Sequence, residues 1–342
     1  MRARLKRLAR ALGWPAPAQA CVLMYHRVAE LPTDVWRIAV SPAHFEQHLQ
    51  VLRASYTVLP LTELAEAVAR RAVPRRAVSI TFDDGYADNF SQAYPLLERY
   101  QLPATFFIAS GNIGQATEFW WDELEHLLLF TPDLPATFTS TVAGQPVSAA
   151  LADEAHLSPA LRQQHQRWNA CTETPPTRRA TLFLQLWQLL RPLPHPAQQQ
   201  HLQQLRQWAG QPPGTRATYR SMAAEQLREL AGSPRHTLGV HTVSHPALAF
   251  HAPAAQQREL VENKEFLAQL TGHAPTLVAY PYGNYNPDTL AAAAAAGLRA
   301  GFTTEEQPLT NRSERYRLGR FQVADGPGAD FARQLQRWQQ PS

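Results

Sequence analysis

The sequence has few cysteines and no long apolar run, the features that are typical of small secreted modules and of membrane-spanning chains. Only two cysteines, Cys21 and Cys171, occur among 342 residues, so neither a disulfide framework nor a cysteine-rich zinc site can form. No apolar run reaches the ~18 residues that a transmembrane helix needs. Any bound metal must therefore be held by histidine and carboxylate side chains.

Excess charge of one sign is confined to the start of the chain. The formal net charge is +4, and five basic residues lie among the first ten: Arg2, Arg4, Lys6, Arg7 and Arg10. The remainder is nearly neutral, which argues against a nucleic-acid-binding surface. We expect a basic leader over residues 1–19. We favour a frayed segment, and the alternative is a short helix that lies on an anionic membrane surface. An apolar core of a secretory signal is missing, so we expect a cytoplasmic protein, either free or peripheral to the inner membrane through this leader.

Apolar runs alternate with helical patterns in both halves of the chain, and 44% of the residues are hydrophobic. This alternation predicts an α/β fold with a parallel sheet, either a barrel or an open doubly wound sheet. The predicted strands are 20–25, 57–59, 77–82, 104–109, 237–240, 276–280, 300–303 and 317–323. The predicted helices are 42–54, 62–71, a segment ending at 97, 223–231, 254–270, 287–296 and 328–338.

The alternation breaks between residues 115 and 214, where the chain is rich in Gln, Leu, Trp and Pro. We interpret 115–214 as a mostly helical insertion between two barrel segments, 20–114 and 215–342. Trp120 and Trp121 follow a predicted strand and could bind a sugar ring by stacking. The alternative, which we favour, is that they form the core of the insertion.

Polar residues follow four of the predicted strands at the edge where parallel barrels carry their catalytic groups. His26 follows the first strand and the pair Asp83-Asp84 follows the third. His241 and His245, four residues apart, follow the strand that begins at 237. An Asp-rich turn and unrelated surface histidines are the alternatives, since Asp-Gly is common turn chemistry and the chain has 13 histidines.

Taken together, Asp84, His241 and His245 form a set of two histidines and one carboxylate. Such a set leaves coordination positions open and suits catalytic Zn²⁺, with Co²⁺, Ni²⁺ or Fe²⁺ as alternatives. A bound divalent ion lowers the pKa of water to ~7 and polarises a carbonyl group. Asp83, which is not needed as a ligand, is then a candidate general base.

These motifs resemble those of the polysaccharide deacetylases of carbohydrate esterase family 4, which share the NodB homology domain. Thr-Phe-Asp-Asp-Gly stands intact at Thr81–Gly85, and His-Thr-x-x-His at His241–His245. A third motif, Arg-x-Pro-Tyr, is partly present from Ala279 to Tyr282, and the stretch from Leu23 to Val28 resembles the start of a bacterial branch. The resemblance covers residues 20–110 and 215–325.

The resemblance implies a distorted (β/α)7-type barrel and metal-dependent removal of acetyl groups from the sugars of an acetylated glycan. It also implies that Thr242 braces the histidine loop and that the backbone N–H of Tyr282 holds the oxyanion, with Tyr280 and Pro281 as supporting residues of the same motif. Whether the acetyl group is N- or O-linked, which glycan carries it and the oligomeric state are left open.

Two departures from the family pattern concern the catalytic groups. Ala279 stands where the family has an arginine beside the catalytic aspartate, and Arg320 stands where Leu-x-His supplies the general acid. Arginine stays protonated and is a poor acid. We hypothesise that Arg320 lies near Asp83 and replaces the lost charge, which leaves His26 as the candidate acid. The alternative for His26 is a structural role, with its side chain hydrogen-bonded beneath the edge of the barrel.

Two other functions remain as alternatives. One is a metal-independent amidohydrolase acting on a small amide, and the other is a carbohydrate-binding barrel that has lost turnover. Intact ligand positions argue against the first, and retention of Asp83 argues against the second.

Overall fold

The computed structural model of the protein describes residues 19–339, so the predictions for the leader lie almost wholly outside the described residues. The strands are β1 Ala20–Tyr25, β2 Arg27–Val28, β3 Ala39–Val40, β4 Thr57–Val58, β5 Ala77–Phe82, β6 Ala104–Ile108, β7 Thr137–Val142, β8 Gln145–Ala150, β9 His236–Val240, β10 Leu277–Ala279, β11 Ala300–Phe302 and β12 Phe321–Gln322. The α-helices are α1 Pro42–Ser55, α2 Leu61–Ala69, α3 Tyr94–Tyr100, α4 Trp120–Glu125, α5 Pro159–Arg167, α6 Arg178–Leu190, α7 His195–Trp208, α8 Ala224–Gly232, α9 Pro253–Thr271, α10 Pro287–Ala295 and α11 Gly328–Trp338.

One parallel sheet of eight strands forms the centre of the molecule, in the order β11-β10-β9-β6-β5-β1-β12, with β4 beside β5. Every residue of β1, β5 and β6 is buried, as expected for parallel strands with both faces covered by other elements. The strand ends align because β1 pairs with β5 in register from Ala20 with Ala77 to Tyr25 with Phe82. The residues that follow these strands therefore meet at one edge of the sheet.

The sheet curls so that its two end strands approach each other. Phe302 of β11 forms a parallel bridge with Leu318, which lies three residues before β12. The predicted fold class, a distorted (β/α)7-type barrel with a mostly helical insertion, is confirmed. The prediction of a continuous strand over 317–323 was wrong. Only Phe321–Gln322 pairs with β1, whereas Leu318 bridges to Phe302 and the backbone N–H of Arg320 donates to the carbonyl oxygen of Glu305.

The helices begin where local sequence signals favour a start. Ser41 caps α1 by accepting a hydrogen bond from the backbone N–H of His44, and Pro42 occupies the first turn. Leu49 and Leu52 of α1 pack in the barrel core with Phe331 of α11. The core thus lies between the sheet and its flanking helices.

The segment after β6 folds around a second hydrophobic core, which includes Trp120, Phe183 and Leu186. It contains α4 to α7, but also an antiparallel hairpin of β7 and β8, which the sequence analysis missed. Among the described residues, we find no helix with the length and apolarity to cross a membrane.

Candidate active site

Asp84, His241 and His245 converge at the carboxyl edge of the sheet. Asp84 Oδ1 lies 3.3 Å from Nε2 of His241 and 3.2 Å from Nε2 of His245. The three side chains are buried, and one candidate ligand atom from each lies within 4.8 Å of the others. The structure therefore brings the three predicted ligands together in one small cluster.

The chemistry of this cluster fits a divalent cation better than a purely structural role. Asp84 Oδ1 is buried and accepts no well-formed hydrogen bond from either imidazole. Nδ1 of His241 lies 2.8 Å from the carbonyl oxygen of Ala279, so a proton on Nδ1 leaves Nε2 free to act as a ligand. Burial lowers the pKa of His245, which favours the neutral ring that a metal requires.

Hydrogen bonds fix the loop that carries the two histidines. Thr242 Oγ1 donates to the carbonyl oxygen of His241 and accepts from the backbone N–H of His245, over 2.5 and 3.1 Å. The carboxylate of Glu259 in α9 accepts hydrogen bonds from the backbone N–H groups of Val243 and Ser244, over 2.7 and 2.9 Å. The contacts of Thr242 are those that the family resemblance implies.

Asn263 of α9 ties this loop to the neighbouring strand end, and the sequence analysis missed it. Its Oδ1 accepts from the backbone N–H of His241 over 3.2 Å. Its side-chain amide donates to the carbonyl oxygens of Ile108 and Thr242 and to Ser110 Oγ. A single asparagine in an amphipathic helix gives no sequence signal for such a role, because its partners lie 21 to 155 positions away.

Asp83 and Arg320 form a buried, bidentate ion pair. Nη1 donates to Oδ1 and Nη2 to Oδ2, both over 2.7 Å, and the two residues are 2% and 0% exposed. Burial alone would raise the pKa of Asp83. The charge and hydrogen bonds of Arg320, with smaller contributions from the nearby histidines, together outweigh burial, so the pKa lies below its usual range. Arg320 therefore lies beside Asp83, as hypothesised from the sequence. Its positive charge replaces that of the arginine that the family has at the position of Ala279.

Several of these residues have backbones that L-amino acids rarely adopt. Asp84, Thr242, His245 and Tyr282 have positive φ angles of 72°, 69°, 55° and 57°. Non-glycine residues in this region carry a cost of about 1–3 kcal/mol each and persist only where surrounding contacts hold them. Their concentration here marks a site whose geometry is maintained at the expense of local strain.

The cluster opens into a cavity of about 310 Å³, at the lower end of the range for ligand pockets. His26, Asp83 and Tyr282 line this cavity beside the three candidate ligands. Its remaining lining residues are Met24, Trp36, Ile38, Trp121, Cys171, Trp187, Arg191, Tyr280, Thr304 and Gln322. The sequence analysis missed Trp36, Trp187 and Arg191, because they come from segments that only the tertiary fold brings to the cavity.

The two tryptophans predicted to bind sugar have different positions. Trp121 lines the cavity, with its ring 4.6 Å from that of His245 and its indole N–H donating to Tyr86 Oη over 3.0 Å. Trp120 packs behind Trp121 in the insertion core and is absent from the cavity wall. The structure thus places Trp120 in the insertion core, the alternative that the sequence analysis favoured, and Trp121 at the cavity.

Tyr280 and Pro281 directly follow β10 and support the site. Tyr280 is buried and donates from its hydroxyl to the carbonyl oxygen of Tyr316 over 3.2 Å. Pro281 begins the turn that places Tyr282 in its left-handed conformation. The ring of Tyr282 lies 4.6 Å from that of His245, so this turn forms part of the cavity wall next to the candidate ligands.

The fold and the site define an α/β barrel with a centre made of two histidines and one carboxylate. The family model for polysaccharide deacetylases matches residues 70–129 and 199–301, which include both ends of the predicted insertion and leave 130–198 unmatched. The chain belongs to the polysaccharide deacetylase family. The predicted enzyme class, a hydrolase acting on carbon–nitrogen bonds other than peptide bonds, is confirmed at the level of this family.

Similar proteins fall in the same family. YxkH of Bacillus subtilis, which carries a provisional polysaccharide deacetylase name, is 23% identical over 314 residues, or 91% of this chain and 73% of its own. A Staphylococcus aureus poly-β-1,6-N-acetyl-D-glucosamine N-deacetylase is 30% identical over 109 residues, which span 28% of this chain and 38% of that protein.

Solved structures share the fold over almost the whole chain. The Streptococcus pyogenes deacetylase PplD, in complex with acetate, has a TM-score of 0.58 at 18% identity and covers 95% of this chain and 100% of its own. IcaB from Ammonifex degensii has a TM-score of 0.57 at 19% identity, with coverages of 95% and 98%. At these identities the likeness establishes the fold.

Proposed function

We propose that the chain is a metal-dependent deacetylase that removes the N-linked acetyl group from a sugar unit of an oligo- or polysaccharide. The observation that carries the proposal is the position of Asp83. Asp83 lines the same cavity as the cluster of Asp84, His241 and His245 but is paired with Arg320 rather than with that cluster. A ligand set with a separate ionised carboxylate beside it suits hydrolysis.

The names of similar proteins support N-acetylated glycans as the substrate class. The staphylococcal relative is named for N-deacetylation of poly-β-1,6-N-acetyl-D-glucosamine, and it matches this chain over 28% of its length. The aromatic residues Trp36, Trp121 and Trp187 line the cavity and offer faces on which a sugar ring can stack.

Asp84, His241 and His245 would hold the divalent ion, most simply Zn²⁺. When bound, the ion would lower the pKa of water and polarise the acetyl carbonyl group. Asp83 accepts the proton of the attacking water, because Arg320 keeps its carboxylate ionised at neutral pH. Arg320 itself is a positioning residue, since both of its terminal nitrogens are bonded to Asp83.

Two further groups complete the reaction. The backbone N–H of Tyr282 donates to the oxygen on which negative charge develops as water adds to the carbonyl carbon. His26 donates the proton that the sugar amine needs as the carbon–nitrogen bond breaks. His26 suits this step because it lines the cavity and its Nδ1 is buried with no hydrogen-bond partner.

Acetate release from an N-acetylglucosamine pentamer tests the proposal. We expect release by the zinc-loaded protein and a rate about 10²–10⁴-fold lower in Asp83→Asn, because a general base contributes about that factor. Asp153→Asn, at an exposed aspartate in the insertion, is the matched control and should keep the parent rate. Parent-like release by Asp83→Asn would contradict the assigned base. A metal-free parent at full rate would favour the metal-independent amidohydrolase, and sugar binding without any acetate release would favour the carbohydrate-binding barrel.

A further inference from the structure

One wall of the cavity is built from the insertion and from the segment between β2 and β3. Trp187 lies near the end of α6 and Arg191 directly follows that helix. The ring of Trp36 lies 4.9 Å from that of Trp187, and the guanidinium carbon of Arg191 lies 4.8 Å from the same indole. Trp36 and Arg191 therefore both contact the Trp187 ring at the edge of the cavity.

Both of these side chains carry a donor without a partner. Trp36 Nε1 and Arg191 Nε are buried, and neither has a hydrogen-bond partner. Indole and guanidinium groups can donate but cannot accept. Buried donors in native proteins are nearly always satisfied, so two such donors in one cavity wall point to a ligand group that is rich in acceptors.

The charges around the cavity favour an anion as that ligand group. The charge of Asp83 is matched by Arg320, and Asp84 faces the two histidines. Over residues 19–339, no carboxylate forms an ion pair with Arg191. A guanidinium without a carboxylate partner at the wall of a small cavity binds carboxylate or phosphate oxygens in preference to hydroxyl groups.

We propose that Arg191 and Trp36 form a subsite for an anionic group, a carboxylate or a phosphate, carried by the sugar that is deacetylated or by its neighbour. This inference deepens the proposed function, on which it rests for the position of the acetyl group. It makes Arg191 a specificity-determining residue, which selects acidic acetylated sugars over neutral ones. The insertion then supplies substrate selection, while the barrel supplies the chemistry.

Calorimetric titration of the chelator-treated protein measures binding without turnover and keeps the pair of Asp83 and Arg320 intact. The probes are N-acetylglucosamine, which is neutral, N-acetylmuramic acid, which carries a carboxylate, and N-acetylglucosamine 6-phosphate. We expect at least one of the acidic sugars to bind about tenfold or more tightly than the neutral one, as a charge-assisted hydrogen bond allows. Whichever acidic sugar binds tighter identifies the anion.

Variants in the same background assign the preference to Arg191. Arg191→Gln should abolish the preference, Arg191→Lys should restore part of it, and Trp36→Phe should reduce it while keeping an aromatic ring. Arg258→Gln, at an exposed arginine of α9, is the matched control and should leave it unchanged.

Equal binding of all three sugars, or a preference that survives in Arg191→Gln, would overturn the subsite. A loss of affinity in Arg191→Gln that is equal for all three sugars would also overturn it, since it indicates contacts to neutral hydroxyl groups. Each of these results is separate from acetate release by the parent protein. The proposed deacetylation can therefore stand if the subsite fails.

Discussion

Replacing Arg320 with methionine should strongly destabilise the protein at neutral pH. Methionine approximates the length of the arginine stem but removes both bonds to Asp83, each 2.7 Å long. The side chains of the pair are 0% and 3% exposed, so water cannot replace the lost donors without a structural change. Asp83 would be left as a buried carboxylate without its counter-charge.

The magnitude follows from that burial. Removing one partner of a buried ion pair costs about 3–5 kcal/mol, most of which comes from the uncompensated charge. The double variant Asp83→Asn/Arg320→Met removes both charges and should recover a large part of the loss. The free energies of unfolding of the parent, the two single variants and the double variant then give the coupling energy of the pair.

The assay is urea-induced unfolding of chelator-treated protein between pH 4 and pH 8. The folded-state pKa of Asp83 lies below its ordinary value of 3.8 in the parent, so the pair stabilises the fold above that value, and the contribution is lost as the pH falls through the folded pKa. Without Arg320, burial raises the pKa of Asp83. The difference between Arg320→Met and the parent should therefore be largest near pH 7 and shrink as the medium is acidified.

Arg320→Leu serves as a second neutral replacement that separates loss of charge from an effect of methionine packing. A destabilisation below about 1 kcal/mol at pH 7, the size of a surface ion pair, would refute this reasoning. A destabilisation of Arg320→Met relative to the parent that increases as the pH falls would also refute it.

Three further predictions concern the rest of the site. Asn263→Leu leaves the backbone donor of His241 unpaired, so we expect zinc affinity, measured by competition with a chelating dye, to fall about 10–100-fold, and parent affinity would contradict the bracing role. His26→Gln should lower kcat by about 10²–10⁴-fold while keeping the metal, and full turnover would remove His26 from the mechanism. Burial raises the pKa of Asp122 from 3.8 to about 8 and that of Glu125 from 4.5 to about 7, so unfolding free energy should fall as pH rises across these ranges. Asp122→Asn and Glu125→Gln should flatten that slope, and an unchanged slope in denaturant titrations would refute it.

The barrel and its metal cluster could be predicted because their signals are local. The strand Ala77–Phe82 is a mostly apolar run, interrupted by Ser79 and Thr81, that ends directly before Asp83, and its bounds were predicted without error. Sheet geometry then places Asp84 near His241, since the ends of parallel strands share one edge. The pairing of Arg320 with Asp83 was accessible as a hypothesis, because one arginine was missing from a motif and another stood at an unexpected position.

Other features depend on tertiary contacts that no local pattern reveals. Arg191 and Trp36 lie 155 positions apart and meet only because the insertion packs over the barrel. The hairpin of β7 and β8 had a usable signal, since Phe138 and Val142 are buried while Thr137, Thr139 and Thr141 are exposed. That alternation was overlooked within a segment dominated by helical spacing.

The bound-metal content of the purified protein tests the central claim most directly. Plasma mass spectrometry after dialysis against zinc should find about one ion per chain in the parent and in Asp83→Asn, because Asp83 is paired with Arg320 and is not a ligand. Asp84→Asn and His241→Ala should retain far less than one ion. Equal metal content in the parent and in these two ligand variants would contradict the account.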